Sequence, residues 1–292
     1  MKFFSERRSP VRLGIDSSEN APSLEPDAPI GPPDRRRRAP AWAETFPFWA
    51  VGILLVLGWM GWMVAFNPRY EQAWDRIIPG IWLTIRITLS AFGIALVIGV
   101  ITGLARVSTS IVARNLSRLY VEFIRGIPML VLIFASALVI VPETAKALGW
   151  DNTLSLFWRG AIALAFVYGG YIGEVVRGGI QSVPVGQMEA GPSLGMSRGQ
   201  TMRSIVLPQA GRAMLPPLAN DFIAMLKDSS LLSVLGILEI TQLGRQYASG
   251  SFKFRESYMV LTFIYLSLTI VLSFLLNRLE HRVSRDRVGE RG

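Results

Sequence analysis

Twenty-one consecutive residues, Phe46 to Phe66, carry no charge. Coiled as a helix, such a run is roughly 31 Å long, about the thickness of a bilayer's hydrocarbon core. A segment that long and that apolar belongs in lipid, and this constrains the chain more than any other feature. Trp42, Trp49, Trp59 and Trp62 stand near its two ends, where indole rings anchor at the membrane–water boundary. Further apolar runs follow at about 81–105, 119–141, 156–176 and 257–277. Another crossing starts near Gly211, is bent or broken by Pro216-Pro217, and is completed by Leu231 to Ile240. The expectation is an all-α integral membrane protein of about six transmembrane helices. Polar loops are expected at Asn67–Pro79, Pro142–Ser155 and Thr241–Glu256.

Composition agrees with this class: hydrophobic residues are 51% of the chain and charged residues 17%. The formal charge of +9 raises nucleic acid as a partner. The basic residues lie between and beyond the apolar spans, however, so they read as topology signals and no nucleic-acid partner is expected. Place both termini, the loop after the second helix and the stretch around 181–210 on one side. That side then holds 21 Lys and Arg against seven on the other, leaving out Arg86 and Lys227, which fall within spans. The positive-inside rule makes it the cytoplasmic side. Residues 1–45, with many Pro and no apolar period, read as a disordered basic cytoplasmic tail. Its Arg35 to Arg38 block suits anionic membrane lipid. Residues 281–292 form a basic C-terminal tail.

Several chemistries are excluded. There is no Cys, hence no disulfide, thiol catalysis or thiolate metal site. The one histidine, His281, sits in the basic tail, which leaves no His-based triad or zinc site. No Gly-Lys dipeptide occurs, so no P-loop is present to cradle ATP phosphates. The expectation is that the chain is not an enzyme and carries no cofactor of its own.

A polar, amphipathic stretch from Gln181 to Ala210 interrupts this apolar chain. Pro184 suits the first turn of a short helix. Gly195 is placed to stop that helix in a left-handed cap. Ser197 opens a second helix, with Gln200 three residues on as a capping box. Met202, Ile205 and Val206 fall on one face. Patterning alone leaves two readings open: a two-helix elbow, or a surface loop with some helix.

The spacing is informative. Glu189-Ala190-Gly191, three residues, Gly195, nine residues, then Ile205-Val206-Leu207-Pro208 resembles the EAA loop of permease subunits of bacterial ABC-type importers. Gly191 stands where that family usually has Ala, which makes the first short helix more flexible. Glu122-Phe123-Ile124-Arg125-Gly126-Ile127-Pro128 resembles the entry the family has into the third helix, and Tyr171 to Ile180 and Leu215 to Leu232 resemble the family's polar amino acid branch. The resemblance covers about Gly80 to Glu280. It implies a five-helix type I importer core, with the 46–66 helix additional to it. It also implies a cytoplasmic loop that docks on a separate ATPase through Glu189, Ala190, Gly191, Gly195, Ile205, Leu207 and Pro208. The partners it implies are an ATPase dimer that uses ATP, a second permease copy, identical or related, and an extracytoplasmic amino-acid-binding protein. The setting it implies is the bacterial inner membrane, crossed several times, with alternating access as the mechanism. Secondary transport and a passive channel are the rival readings, since broken helices with polar residues suit both.

Asn220, Asp221, Lys227 and Asp228 fall among apolar residues at depth and are the candidate substrate path. Ionisable groups there are costly unless they pair or face water. Lys227 and Asp228 either pair with each other to hold the helix break or face the substrate. Glu174 is a further path candidate; alternatively it pairs with Arg177 at i, i+3 near the inner surface. Within the second span, Gly99 and Gly103 offer a close-packing face. Arg86, a turn and a half inside it, either snorkels to the interface or serves as a gate or pocket residue.

Overall fold

The apolar runs form helices, the conformation that satisfies every backbone group without water. The computed structural model describes residues 48–149 and 154–285, and every regular element among them is helical. The N-terminal tail, Trp150 to Thr153 and the end of the C-terminal tail lie outside the described residues. The helices are α1 (Phe48–Phe66), α2 (Pro68–Ile77), α3 (Gly80–Arg106), α4 (Ile111–Gly126) and α5 (Met129–Ala147, with a π-turn at Ser136–Ile140). They continue with α6 (Leu156–Gln181), α7 (Val185–Ser193), α8 (Leu207–Asp228), α9 (Ile240–Ser251) and α10 (Phe254–Arg285). Four stretches are long and apolar enough to cross a membrane: Pro68–Arg106, Met129–Ala147, Leu156–Gln181 and Phe254–Glu280. Ala50–Phe66 is apolar but shorter. α8 has 22 residues, and Gln209, Arg212, Asn220 and Asp221 make it more polar than these.

α3 and α6 form the central pair and run in the same direction. Small residues let their backbones approach. A Cβ on Gly99 would lie 2.6 Å from Ile172 Cβ, and one on Gly173 would lie 2.9 Å from Thr102 Cγ2. Around this seam Ile87, Ala91 and Ala95 of α3 are fully buried with Leu164, Tyr168 and Ile172 of α6 in one apolar core. Tyr120 of α4 donates its hydroxyl hydrogen to the Phe166 carbonyl. At the far end of α3, the Arg86 guanidinium lies over the rings of Trp82 and Phe157, 5.8 and 5.5 Å from their centroids.

Two segments expected as loops are helices, and the first residues of a third, 142–147, extend α5. α2 replaces the Asn67–Pro79 loop: Asn67 caps it by accepting from the Arg69 N–H at 3.1 Å, and Pro68 sits in its first turn. Tyr70, Ala73 and Ile77 supply its buried face. α9 occupies most of the Thr241–Glu256 loop. The buried Glu239 carboxylate caps it, accepting from the Gln242 N–H at 2.8 Å, and Ile240, Gly244 and Ala248 form its buried face. Each is amphipathic, with one face buried against α10 residues Val260, Leu261 and Ile264, which is enough to hold a polar helix.

The third and fifth crossings also differ from expectation. α4 begins at Ile111, eight residues before the expected start, capped by Ser110. It ends at Gly126, and Ile127 takes an extended conformation before Pro128 leads into α5. α8 runs through Pro216 and Pro217 without a break. The two missing N–H groups leave the carbonyls of Arg212 and Ala213 without helical donors, and both residues are partly exposed. The break comes later. Ser229–Leu235 is a 3-10 turn, fastened by the Ser229 hydroxyl on the Leu226 carbonyl at 2.7 Å and stopped by Gly236 at φ 83°. Leu231 to Ile240 therefore forms no second half-helix.

Candidate functional site

The Gln181–Ala210 stretch is built as an elbow. α7 ends in a Schellman motif: the Gly195 N–H donates to the Pro192 carbonyl at 2.9 Å and the Met196 N–H to the Gly191 carbonyl at 3.0 Å. Gly195 has φ 78°, a left-handed conformation that glycine adopts without strain. Two residues on, Ser197 and Gln200 make a reciprocal capping box, with Gln200 N–H to Ser197 Oγ at 3.3 Å and Ser197 N–H to Gln200 Oε1 at 2.8 Å. The helix that opens there passes through a π-turn at Met202–Val206 into α8. Val183, Val206 and Ala210 tie the elbow to the main core. Glu189, Ala190, Leu194, Leu207 and Pro208 are exposed, and Ile205 is half-buried.

Gly191 has a different role from the flexibility its sequence position suggests. It is buried, and a Cβ there would meet the Thr201 side chain, lying 2.6 Å from Cγ2 and closer still to Oγ1. The missing methyl lets α7 close against the helix that follows. Gly191→Ala is therefore expected to lower the thermal midpoint of the purified chain by overpacking, at a cost of about 1–3 kcal/mol. Adding Thr201→Ala, which removes the two closest atoms and leaves the Cβ at 2.9 Å, restores part of it. Equal midpoints for wild type and Gly191→Ala would contradict this contact.

Beyond the elbow, Glu174 lies within an ion cluster. Its Oε2 accepts from Arg177 Nε at 2.8 Å, and Arg106 Nη2 stands 2.7 Å from Oε1. Arg177 also donates to Gln181. The cluster fastens the ends of α3 and α6 together beside the elbow.

The candidate residues on α8 divide between two faces. Asp228 Oδ2 accepts from the Tyr168 hydroxyl at 2.6 Å. Asp221, seven residues earlier on the same face, has a buried Oδ2 without a hydrogen-bond partner among the described residues. The Tyr168 and Tyr171 rings lie 5.8 Å apart beside these carboxylates. Asn220 and Lys227, also seven apart, are exposed on the neighbouring face. Lys227 lines a cavity of about 480 Å³ with Thr241, Tyr258, Thr262 and Tyr265. The Lys227–Asp228 pair is not formed, and no carboxylate among the described residues lies within ion-pair distance of Lys227. Sequence reasoning missed Tyr168, whose position inside an apolar run gives no sign of its acidic partner. It also missed Glu239, which accepts from the Tyr265 hydroxyl at 2.9 Å. Among the described residues no group of three His, Asp or Glu is placed to hold a metal.

A bundle of apolar helices of crossing length, carboxylates set among them on a more polar helix and a two-helix elbow define a membrane transport subunit. Residues 95–285 match the family described as the binding-protein-dependent transport system inner membrane component, and the chain belongs to it. The glutamine transport system permease protein of Escherichia coli strain K12 is 36% identical over 217 residues, spanning 72% of this chain and 97% of that one. The glutamate transport system permease protein of Corynebacterium glutamicum is 37% identical over 222 residues, spanning 74% and 77%. A crystal structure of an amino acid ABC transporter with histidines superposes with a TM-score of 0.62 at 32% identity, covering 75% of this chain and 96% of that one.

Proposed function

We propose that this permease carries amino acids inward across the bacterial inner membrane, driven by a separate ATPase that docks on the Gln181–Ala210 elbow. The observation that carries the reading is the elbow itself: a Schellman stop at Gly195 and a capping box at Ser197, spaced as in the EAA loop. Rigid motifs on both sides of one glycine suit a part that transmits force. Glu189, Ala190, Leu207 and Pro208 lie on its exposed surface, with Gly191, Gly195 and Ile205 shaping it. The partners are an ATPase dimer, a second permease copy and an extracytoplasmic amino-acid-binding protein. ATP is used by the ATPase, since this chain has no Gly-Lys phosphate loop. Both termini and the elbow face the cytoplasm, as the Lys and Arg bias favours.

The substrate path runs along α8. Asp221 and Asp228, with the Tyr168 and Tyr171 rings, offer acceptors for an ammonium, and Asn220 and Lys227 offer donors for a carboxylate. Glu174, held by Arg106 and Arg177, closes the inner end of that path. The testing experiment is uptake of labelled glutamine, glutamate and histidine by proteoliposomes holding the assembled transporter and its loaded binding protein. Uptake is expected only with ATP inside and the ATPase present. In the assembled transporter, Asn220→Ala, Asp221→Asn and Lys227→Met are expected to abolish transport or alter preference while complex yield holds. Uptake by this chain alone down an ion gradient would instead establish a secondary transporter, and current without either energy source a channel. Unchanged uptake and preference in all three variants would remove α8 as the path.

A further inference from the structure

We propose that the turn joining α9 to α10 is a membrane anchor, with Phe252 seated in the lipid headgroup layer and Arg255 beside it for lipid phosphate. Phe252 stops α9 at φ 58°, and among the described residues it is the one non-glycine at positive φ. A bulky L side chain is disfavoured there, and glycine is the usual residue at such a stop. Nothing among the described residues compensates for the choice, because the side chain is 82% exposed, more than any other large apolar side chain described. What gains from the ring therefore lies outside the described residues.

Its surroundings indicate what that is. The start of α3 abuts Ile240 at the start of α9, and the first half of α10 packs on α2. α6 starts at the same end, since Gly160 faces Ile87 and Ile237. The starts of α3, α6 and α10 thus share one end of the bundle, opposite the elbow that follows α6. Each of these starts carries an exposed aromatic: Trp82 in α3, Trp158 in α6, Phe254 and Tyr258 in α10. A girdle of exposed aromatic side chains around helices of crossing length marks a membrane–water boundary. Phe252 stands beside that girdle. The turn is also held in place: Lys253 Nζ donates to Gln72 Oε1 of α2 at 2.9 Å, and Lys253 N–H to Ser251 Oγ at 3.3 Å. An apolar ring with an exposed cation three residues away suits the chemistry of the interface, where rings meet acyl chains and arginine meets phosphate.

The sequence contains no cysteine, so a single introduced thiol reports a single site. Phe252→Cys in the full chain, carrying a nitroxide label, goes into nanodiscs of phosphatidylcholine and phosphatidylglycerol. Collision with oxygen, which concentrates in lipid, is compared with collision with a water-soluble nickel chelate. The oxygen-to-nickel ratio is expected to be severalfold higher than for Glu189→Cys on the exposed surface of the elbow at the opposite end of the bundle. A ratio equal to that at position 189 would overturn the anchor and leave the turn as a surface for a soluble partner. Phe252→Gly supplies the second measurement. It relieves the backbone, so the thermal midpoint in detergent is expected to hold or rise, while the gain on transfer to nanodiscs shrinks. A fall in detergent would mean that the ring packs within the protein, and would also overturn the proposal.

Discussion

Gly195→Val is expected to uncouple the transporter while leaving the helical bundle assembled. The residue sits at φ 78° with no neighbouring atom within 4 Å of an added Cβ, so the damage comes from the backbone and not from crowding. A β-branched side chain in the left-handed region costs about 1–3 kcal/mol. The cheapest escape is to leave that region, which breaks the bonds from Gly195 to Pro192 and from Met196 to Gly191. α7 would then point elsewhere and miss its partner. Transport and substrate-stimulated ATP hydrolysis should fall together, by about tenfold or more if the lost conformation costs the upper end of that range. Gly195→Asn, which tolerates positive φ, should lose far less. Normal coupling in a normally assembled Gly195→Val complex would mean that the elbow does not join the ATPase.

Gly103→Leu is expected to prevent folding. A Cβ there would lie 2.5 Å from Val176 Cβ and 2.8 Å from the Gly173 carbonyl oxygen. The second of these is backbone, so no rotamer change relieves it. The helices would have to part along the seam that holds the fully buried Ile87, Ala95 and Ile172. Overpacking of this kind costs roughly 1–3 kcal/mol when neighbours can shift, and more when they are main chain. Gly93→Leu is the control on the same helix, since an added Cβ meets nothing within 4 Å. Yield of monodisperse protein in detergent should collapse for Gly103→Leu and hold for Gly93→Leu. Comparable yields would mean that α3 and α6 are further apart than described.

Much of the architecture was legible because lipid imposes a simple rule on sequence. Uncharged runs of crossing length become helices, and a glycine pair four apart becomes the place where two of them touch. The elbow was legible for a local reason: a glycine stop and a serine cap are chemistry of neighbouring residues. α2 and α9 were not, because their composition resembles loop. Their signal was periodicity, Tyr70, Ala73 and Ile77 in one, Ile240, Gly244 and Ala248 in the other, and in α9 Gly244 and Ala248 are too small to register as an apolar stripe. Pro216-Pro217 misled because proline removes a donor, and whether a helix tolerates that depends on where the orphaned carbonyls point. The split between the Asp221–Asp228 and Asn220–Lys227 faces turns on helical phase and on which neighbour packs where, which adjacent positions in a sequence do not reveal.

α8 follows the π-turn of the elbow and continues without interruption to Asp228, 22 residues or roughly 33 Å. Its helical course is first left at the 3-10 turn closed by Gly236, with a softer point within it where the carbonyls of Arg212 and Ala213 lack helical donors. Pro208 near one end and Asp228 at the other belong to one helix. Under the docking proposed at the elbow, a rotation there would reach the two aspartates through this single lever, and its bending at Pro216-Pro217 would set how much of the rotation arrives.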